Sequence, residues 1–304
     1  MLIYRILSAL VIVTGLTLLV WLDIWLGNTV GINGLVALPI TAIIAMMATA
    51  EVLWLQEDFQ AKPNSLLVYA STLTVIVSAF LPMLWMEAPA GQGIERLHWL
   101  LYGMVISIGM ILFVEMSNYR KPGSNVIRIA LALMVVCYIG LLLSFLGPLR
   151  LYHNNHWGIV AVLSMIVPVK ASDTAAYTIG KIFGKHKFTP VLSPGKTYEG
   201  VVGGFLGGFA GTLIVFKFLL PLITGATSEV SLGVLLAFSA MVTSLGIAGD
   251  LIASVLKRDG GRKNSSRWLP GLGGVLDIID SPLAVTPAVY MFWASGLLGP
   301  ARSI

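Results

Sequence analysis

LLVYASTLTVIVSAFLPMLWM, residues 66–86, holds no charged side chain in 21 positions. As a helix rising 1.5 Å per residue it is about 31 Å long, enough to cross a hydrocarbon core of roughly 30 Å. A barrel strand would be shorter and would alternate polar with apolar residues. Within lipid, a helix can satisfy the backbone N–H and C=O groups of such a run from inside the segment itself. Similar runs recur at about 3–26, 31–50, 98–116, 127–147, 157–180, 200–223, 231–256 and 282–299. The expected fold is therefore all-α, a polytopic integral membrane protein with about nine transmembrane helices. Composition agrees: 57% of the 304 residues are hydrophobic and 11% charged, which is far too apolar for a soluble domain. The first run follows Arg5 as a signal peptide would. It continues into Trp21, Asp23 and Trp25 without a small-residue cleavage site, and is read as a retained anchor.

Charge sets the expected orientation. Thirteen of the 19 lysines and arginines fall in loops after even-numbered spans: Lys62, Arg120, Lys121, Arg128, Lys181, Lys185, Lys187, Lys196 and five between Lys257 and Arg267. Loops after odd-numbered spans hold only Arg96 and Arg150. Positive loops stay inside, so the amino terminus and the even-numbered loops are expected to face the cytoplasm, in a cell inner membrane or another cytoplasm-facing membrane. The lone Cys137 excludes an intrachain disulfide framework and reads as core packing. The four histidines have no zinc-ligand spacing, and most tryptophans lie near span ends as interface anchors.

The chain divides into two parts by chemistry. Residues 1–150 offer about five spans and little else; their carboxylates Asp23 and Glu115 lie near span ends, where solvation is expected. Residues 151–304 carry two polar islands and are read as the catalytic transmembrane part. The first island, GKIFGKHKFTPVLSPGKTYEG from Gly180 to Gly200, breaks the helix with glycine and proline and gathers Lys181, Lys185, Lys187 and Lys196. An ordinary loop beside anionic lipid would account for the lysines. It would not account for Ser193, Lys196, Thr197 and Glu199 in so compact a turn, where hydroxyls beside a lysine suit phosphate oxygens. Asp173, with Lys170 and Tyr177, precedes this island late in an apolar helix.

The second island, Gly249 to Ser281, reads GDLIASVLKRDGGRKNSSRWLPGLGGVLDIIDS. If its start is helical, Asp250, Ser254 and Lys257 at i, i+4 and i+7 share one face, as do Asp277 and Asp280 at i and i+3. An aspartate at a helix centre in the membrane costs roughly 2.5–3.5 kcal/mol, so these carboxylates need compensation. Two compensations are open. They could form ion pairs with Lys170, Lys257 and Arg258, or hold a divalent cation that in turn holds phosphate; the cation is the favoured reading.

The second island resembles the signature of the CDP-diacylglycerol synthases (phosphatidate cytidylyltransferases), in GDLIASVLKR, Lys263, PGLGG and LDIIDS. The segment SDTAAYTIGKIFGKHKFTPVLSPGKTYEG, Ser172 to Gly200, is similar to a second motif of that family, in the same order along the chain. The resemblance covers about residues 157–299. It implies transfer of CMP from CTP to phosphatidate, giving CDP-diacylglycerol and pyrophosphate for phospholipid biosynthesis, by a metal-dependent nucleotidyltransferase. Carried over, Asp250, Asp277, Lys257 and Ser254 would be catalytic, and Asp250, Asp277 and Asp280 would hold Mg2+, with a second cation such as K+. Ser193, Lys196, Thr197, Glu199, Arg258, Lys263 and Asp173 would bind substrate. A homodimer is compatible with the family, and no nucleic-acid partner is expected.

Four departures stand inside the signature. Ala253 replaces a glutamate, Asn264 an aspartate, Leu272 a histidine and Ile278 an arginine. They leave open a cytidylyltransferase for another lipid phosphate, or a homologue that binds without turnover. A transporter or lipid-binding scaffold is a further alternative, with broken helices and charges lining a path. No inverted repeat is evident, and the charges gather toward one face of the membrane.

Overall fold

The computed structural model describes residues 2–57, 59, 61–84, 97–120, 122–266, 268 and 273–299, with side chains from residue 14 onward except that of Leu16. These residues form α1 (Leu2–Val30), α2 (Ala37–Leu55), α3 (Ser65–Phe80), α4 (Leu97–Ser117), α5 (Asn125–Arg150), α6 (Asn155–Phe183), α7 (Tyr198–Thr224), α8 (Leu232–Asp259) and α9 (Leu276–Ala294). Seven of them, α2 to α8, with α3 extended through a 3-10 turn to Leu84, are long and apolar enough to cross a membrane. The protein is thus an all-α, multi-pass membrane protein. The first and ninth expected spans coincide with α1 and α9. The apolar stretch that counts in α1 is short, Thr17–Val30, and α9 is diluted by two aspartates and two prolines.

Polar caps mark where the apolar runs stop. The side chains of Asn64, Asn154, Thr197 and Ser231 accept hydrogen bonds from backbone N–H groups in the first turns of α3, α6, α7 and α8. α5 and α7 each contain a π turn, at Val136–Leu141 and Val215–Leu219. Between α6 and α7 stands one element the sequence reading missed, an antiparallel hairpin of β1 (Lys187–Thr189) and β2 (Ser193–Thr197).

The core has two regions. One lies among α2 to α5, around Val75, Ile76, Phe80 and Ile139; the other lies among α6 to α9, around Val160, Phe216, Phe238 and Trp293. α9 belongs to both, giving Leu276 and Leu283 to the first and Val285, Val289 and Tyr290 to the second. Within the second region α7 lies close against α6. A Cβ at Gly203 would stand 2.7 Å from the Cβ of Ile179, and one at Gly207 would stand 2.6 Å from the Ala171 carbonyl oxygen. Small residues at membrane helix interfaces permit such approach, and here they bring the start of α7 beside the end of α6.

Asp23 and Glu115 correct an expectation: both are buried rather than solvated. Asp23 accepts hydrogen bonds from the N–H groups of Val36 and Ala37 and pairs with Arg150 Nε at 2.6 Å, while Glu115 pairs with Arg128 at 2.9 Å. Burial without a partner would cost several kcal/mol per charge, so tertiary pairing, and not water, is what retains these carboxylates. Cys137 packs against the first core region, as expected. Arg96, Lys121 and Arg267 lie outside the described residues.

Candidate active site

The two polar islands meet at one end of the bundle. α6 and α8 finish there, α7 and α9 begin there, and the β1–β2 hairpin closes over the junction. Between them lies a cavity of about 800 Å³, lined by residues from both islands, including Asp173, Ser193, Lys196, Thr197, Asp250, Asp277 and Asp280. Two helix N-termini therefore turn their partial positive charge toward it, and Lys181, in the last turn of α6, offsets the negative end of that helix.

α8 is helical through the start of the second island, as far as Asp259, so Asp250, Ser254 and Lys257 share a face as the spacing requires. A Cβ at Gly249 would collide with the carbonyl oxygen of Asp280; glycine lets α8 and α9 touch there. That contact brings Asp250 and Asp280 close enough to repel each other. Asp250 Oδ2 receives Lys196 Nζ from the hairpin at 2.7 Å, which joins the two islands directly. Lys170 spans the other side, donating to the carbonyl oxygen of Ile278 at 3.0 Å and standing 3.5 Å from Asp173 Oδ2.

Asp277 is held differently. Its Oδ1 accepts from Lys257 Nζ at 2.6 Å, its Oδ2 accepts from the Ser265 and Gly274 N–H groups at 3.0 and 2.9 Å, and the Ser265 hydroxyl oxygen stands 2.9 Å from Oδ2. Burial alone would raise its carboxyl. The Lys257 ammonium and the two N–H groups outweigh burial and hold it below its ordinary value of 3.8. The ion-pair alternative is thus realised in part: of its three cations, Lys170 meets Asp173 and Lys257 meets Asp277, while Asp250 meets Lys196, which that alternative did not name.

Other expected site residues stand at the margin. Thr197 is among the lining residues, and its hydroxyl caps α7 by accepting from Gly200 N. Glu199 is not in the lining; it accepts from the His186 backbone N–H and stands 2.7 Å from its ring Nδ1, which pins the hairpin to α7. Ser254 is buried and outside the lining, Arg258 is exposed and reaches the Leu192 carbonyl oxygen at the hairpin turn, and Lys263 is exposed.

Three aspartates do not enclose a cage. Among the described residues no group of three or more acidic, histidine or cysteine side chains is placed to hold an ion. Asp250 and Asp280 nonetheless suit a magnesium ion, which is satisfied by one or two carboxylates with substrate phosphates and water completing its shell. Asp277, with every oxygen already engaged by donors, is suited to anchoring Lys257.

Comparison with known proteins extends the resemblance. The profile of the cytidylyltransferase family matches residues 3–295, first half included. The chain belongs to the cytidylyltransferase family. Its relatives in that family include a phosphatidate cytidylyltransferase of Staphylococcus saprophyticus, 29% identical over 84% of this chain and 88% of the relative. One from Haemophilus influenzae is 33% identical over 67% of this chain and 72% of the relative. One from Staphylococcus aureus is 30% identical over 84% and 88%.

Within the family signature, the departures fall in unlike places. Ala253 is fully buried, Asn264 is exposed, and Ile278 is half-buried with its carbonyl oxygen given to Lys170. Leu272 lies outside the described residues. A residue that sequence reasoning overlooked is Glu51, near the end of α2, buried against the second island. Its signal was a carboxylate within an apolar run; its partners, over 200 positions away, left no trace in the spacing.

Proposed function

We propose that this protein transfers CMP from CTP to phosphatidate, giving CDP-diacylglycerol and pyrophosphate, at the cavity between the two islands. The supporting observation is the direct Lys196–Asp250 contact, which joins a hydroxyl- and lysine-bearing hairpin to an aspartate-bearing helix pair at the edge of an apolar bundle. A lipid phosphate can remain anchored in the bilayer there while its headgroup meets a soluble nucleotide. The lysine-rich loops around the cavity favour the cytoplasmic face, where CTP is found.

The lipid monoester, with a second pKa of about 6, is largely dianionic at neutral pH. Its oxygen forms a bond to the α-phosphorus of CTP as the α–β bridging bond breaks, and the electron pair leaves with pyrophosphate. No strong base is needed. The work of the protein is to hold two anions in line and to neutralise the charge that grows on the leaving group. Lys170, Lys181, Lys187 and Lys196 are balanced in the lining by Asp173, Asp250, Asp277 and Asp280, so both polyanions arrive at a site with no net excess of positive side chains. Asp250 and Asp280 would hold magnesium, which would supply the missing positive charge and polarise phosphate oxygens. Ser193 and Thr197 present hydroxyls to phosphate, and Lys257, fixed by Asp277, keeps the start of α9 in register with α8. A second, monovalent cation remains part of the proposal on family grounds.

The test is pyrophosphate release by purified protein in detergent with phosphatidate, CTP and magnesium. Turnover that requires all three is expected. If the protein is silent beside an active synthase from a relative, the phosphatidate reaction is wrong; turnover only with a different lipid phosphate would reassign the acceptor.

A further inference from the structure

Glu51 contributes nothing to the cavity lining, yet it holds the start of α9. It is 2% exposed, and its carboxylate accepts four hydrogen bonds from the second island. Oε1 accepts from the Val275 N–H at 2.8 Å and the Ser266 hydroxyl at 2.7 Å; Oε2 accepts from the Leu276 N–H and the Ser265 hydroxyl, each at 2.8 Å. α9 has no side-chain cap from its own preceding residue, so its cap comes from α2. The Ser265 hydroxyl has one proton and stands 2.9 Å from Asp277 Oδ2 as well, which links the Glu51 carboxylate to that of Asp277. A Cβ at Gly274 would collide with both Glu51 oxygens, so glycine is what lets the carboxylate reach this backbone. A second tie runs beside it: the Arg262 guanidinium lies 3.3 Å from the centre of the Trp54 ring and donates to the Trp54 carbonyl oxygen.

We infer that Glu51 is a positioning residue, which sets the start of α9 and, through Ser265, the placement of Asp277 and Asp280 at the cavity. This role rests on the reaction proposed above. Its absence from the lining separates it from substrate contact, and its four donors separate it from a carboxylate that only fills space. Glu51→Gln keeps the shape but turns an amide N–H group toward a donor. Asp23→Asn is the comparison, since Asp23 is a buried carboxylate that receives two backbone N–H groups at the start of α2, among residues with no part in the cavity.

Both variants are purified in detergent and compared with wild type for Tm, kcat, and KM for CTP and phosphatidate, at a temperature where all remain folded. Positioning predicts that Glu51→Gln lowers kcat by about tenfold or more with KM changed less than about threefold, as loss of supporting partners does at other sites. Asp23→Asn should lower Tm while keeping kcat within about twofold of wild type. Wild-type kcat in Glu51→Gln overturns the role, and so does an equal kcat loss in the two variants. If Glu51→Gln does not fold, Ser265→Ala takes its place, removing only the shared hydroxyl; undiminished kcat there overturns the role equally. A wild-type enzyme without turnover instead defeats the reaction itself.

Discussion

At the residue scale, two aspartates of one island behave unlike each other. Asp250 is about one-third exposed and meets Lys196 at the edge of the cavity, so the pair adds at most about 1 kcal/mol of stability. Asp250→Asn should leave the protein folded, with Tm almost unchanged, and lower turnover on the order of 100-fold, a loss typical of an electrostatic contact to the transition state. Turnover near wild type would remove Asp250 from the reaction. Asp277 is largely buried with Lys257, and Asp277→Ala strands that ammonium; a loss of about 3–5 kcal/mol is expected, read from denaturation in detergent. Acid reports on the same carboxylate. Because its folded pKa lies below its ordinary 3.8, its contribution is present above about pH 4 and is lost as the pH falls through the lower folded value. Tm should therefore drop more steeply below pH 4 in wild type than in Asp277→Asn, and parallel curves would contradict the pairing.

At the scale of elements, the contact between α6 and α7 fixes the distance between islands. Gly207 meets the Ala171 carbonyl oxygen where no side chain fits. Gly207→Val should push the helices apart at a cost of about 1–3 kcal/mol and reduce activity with it, although the site lies at the helix end; unaltered Tm and kcat would show that the interface tolerates the methyl groups. Gly203 and Gly207 lie about one helical turn apart, so their shared face follows from local helical period. The hairpin follows from no such local rule. Three and five residues of strand, closed by the Glu199 contacts to His186, are too short to carry a period, and their pairing depends on α6 and α7 presenting both ends side by side.

At the scale of the molecule, α9 joins two core regions, so the catalytic end is carried by the entire bundle, α2 included. The proposed orientation is open to labelling. With Cys137 replaced by alanine, a cysteine introduced by Val191→Cys at the exposed hairpin turn should react with an impermeant maleimide only when the cytoplasmic face is accessible; labelling from the opposite face would invert the topology.

The amino-acid sequence by itself determined the all-α membrane architecture, because a charge-free helical length matched to lipid has few alternatives. It also determined the pairing of Asp250, Ser254 and Lys257 on one face, because helical period is local. Tertiary structure alone decided which donor each of these carboxylates meets. Lys196 reaches Asp250 across 54 positions, and Glu51 reaches Val275 across 224. Both contacts arise from the packing of helices. Burial makes a partner for each charge obligatory, while the choice among several nearby lysines, hydroxyls and N–H groups follows from which helix ends the packed bundle places together.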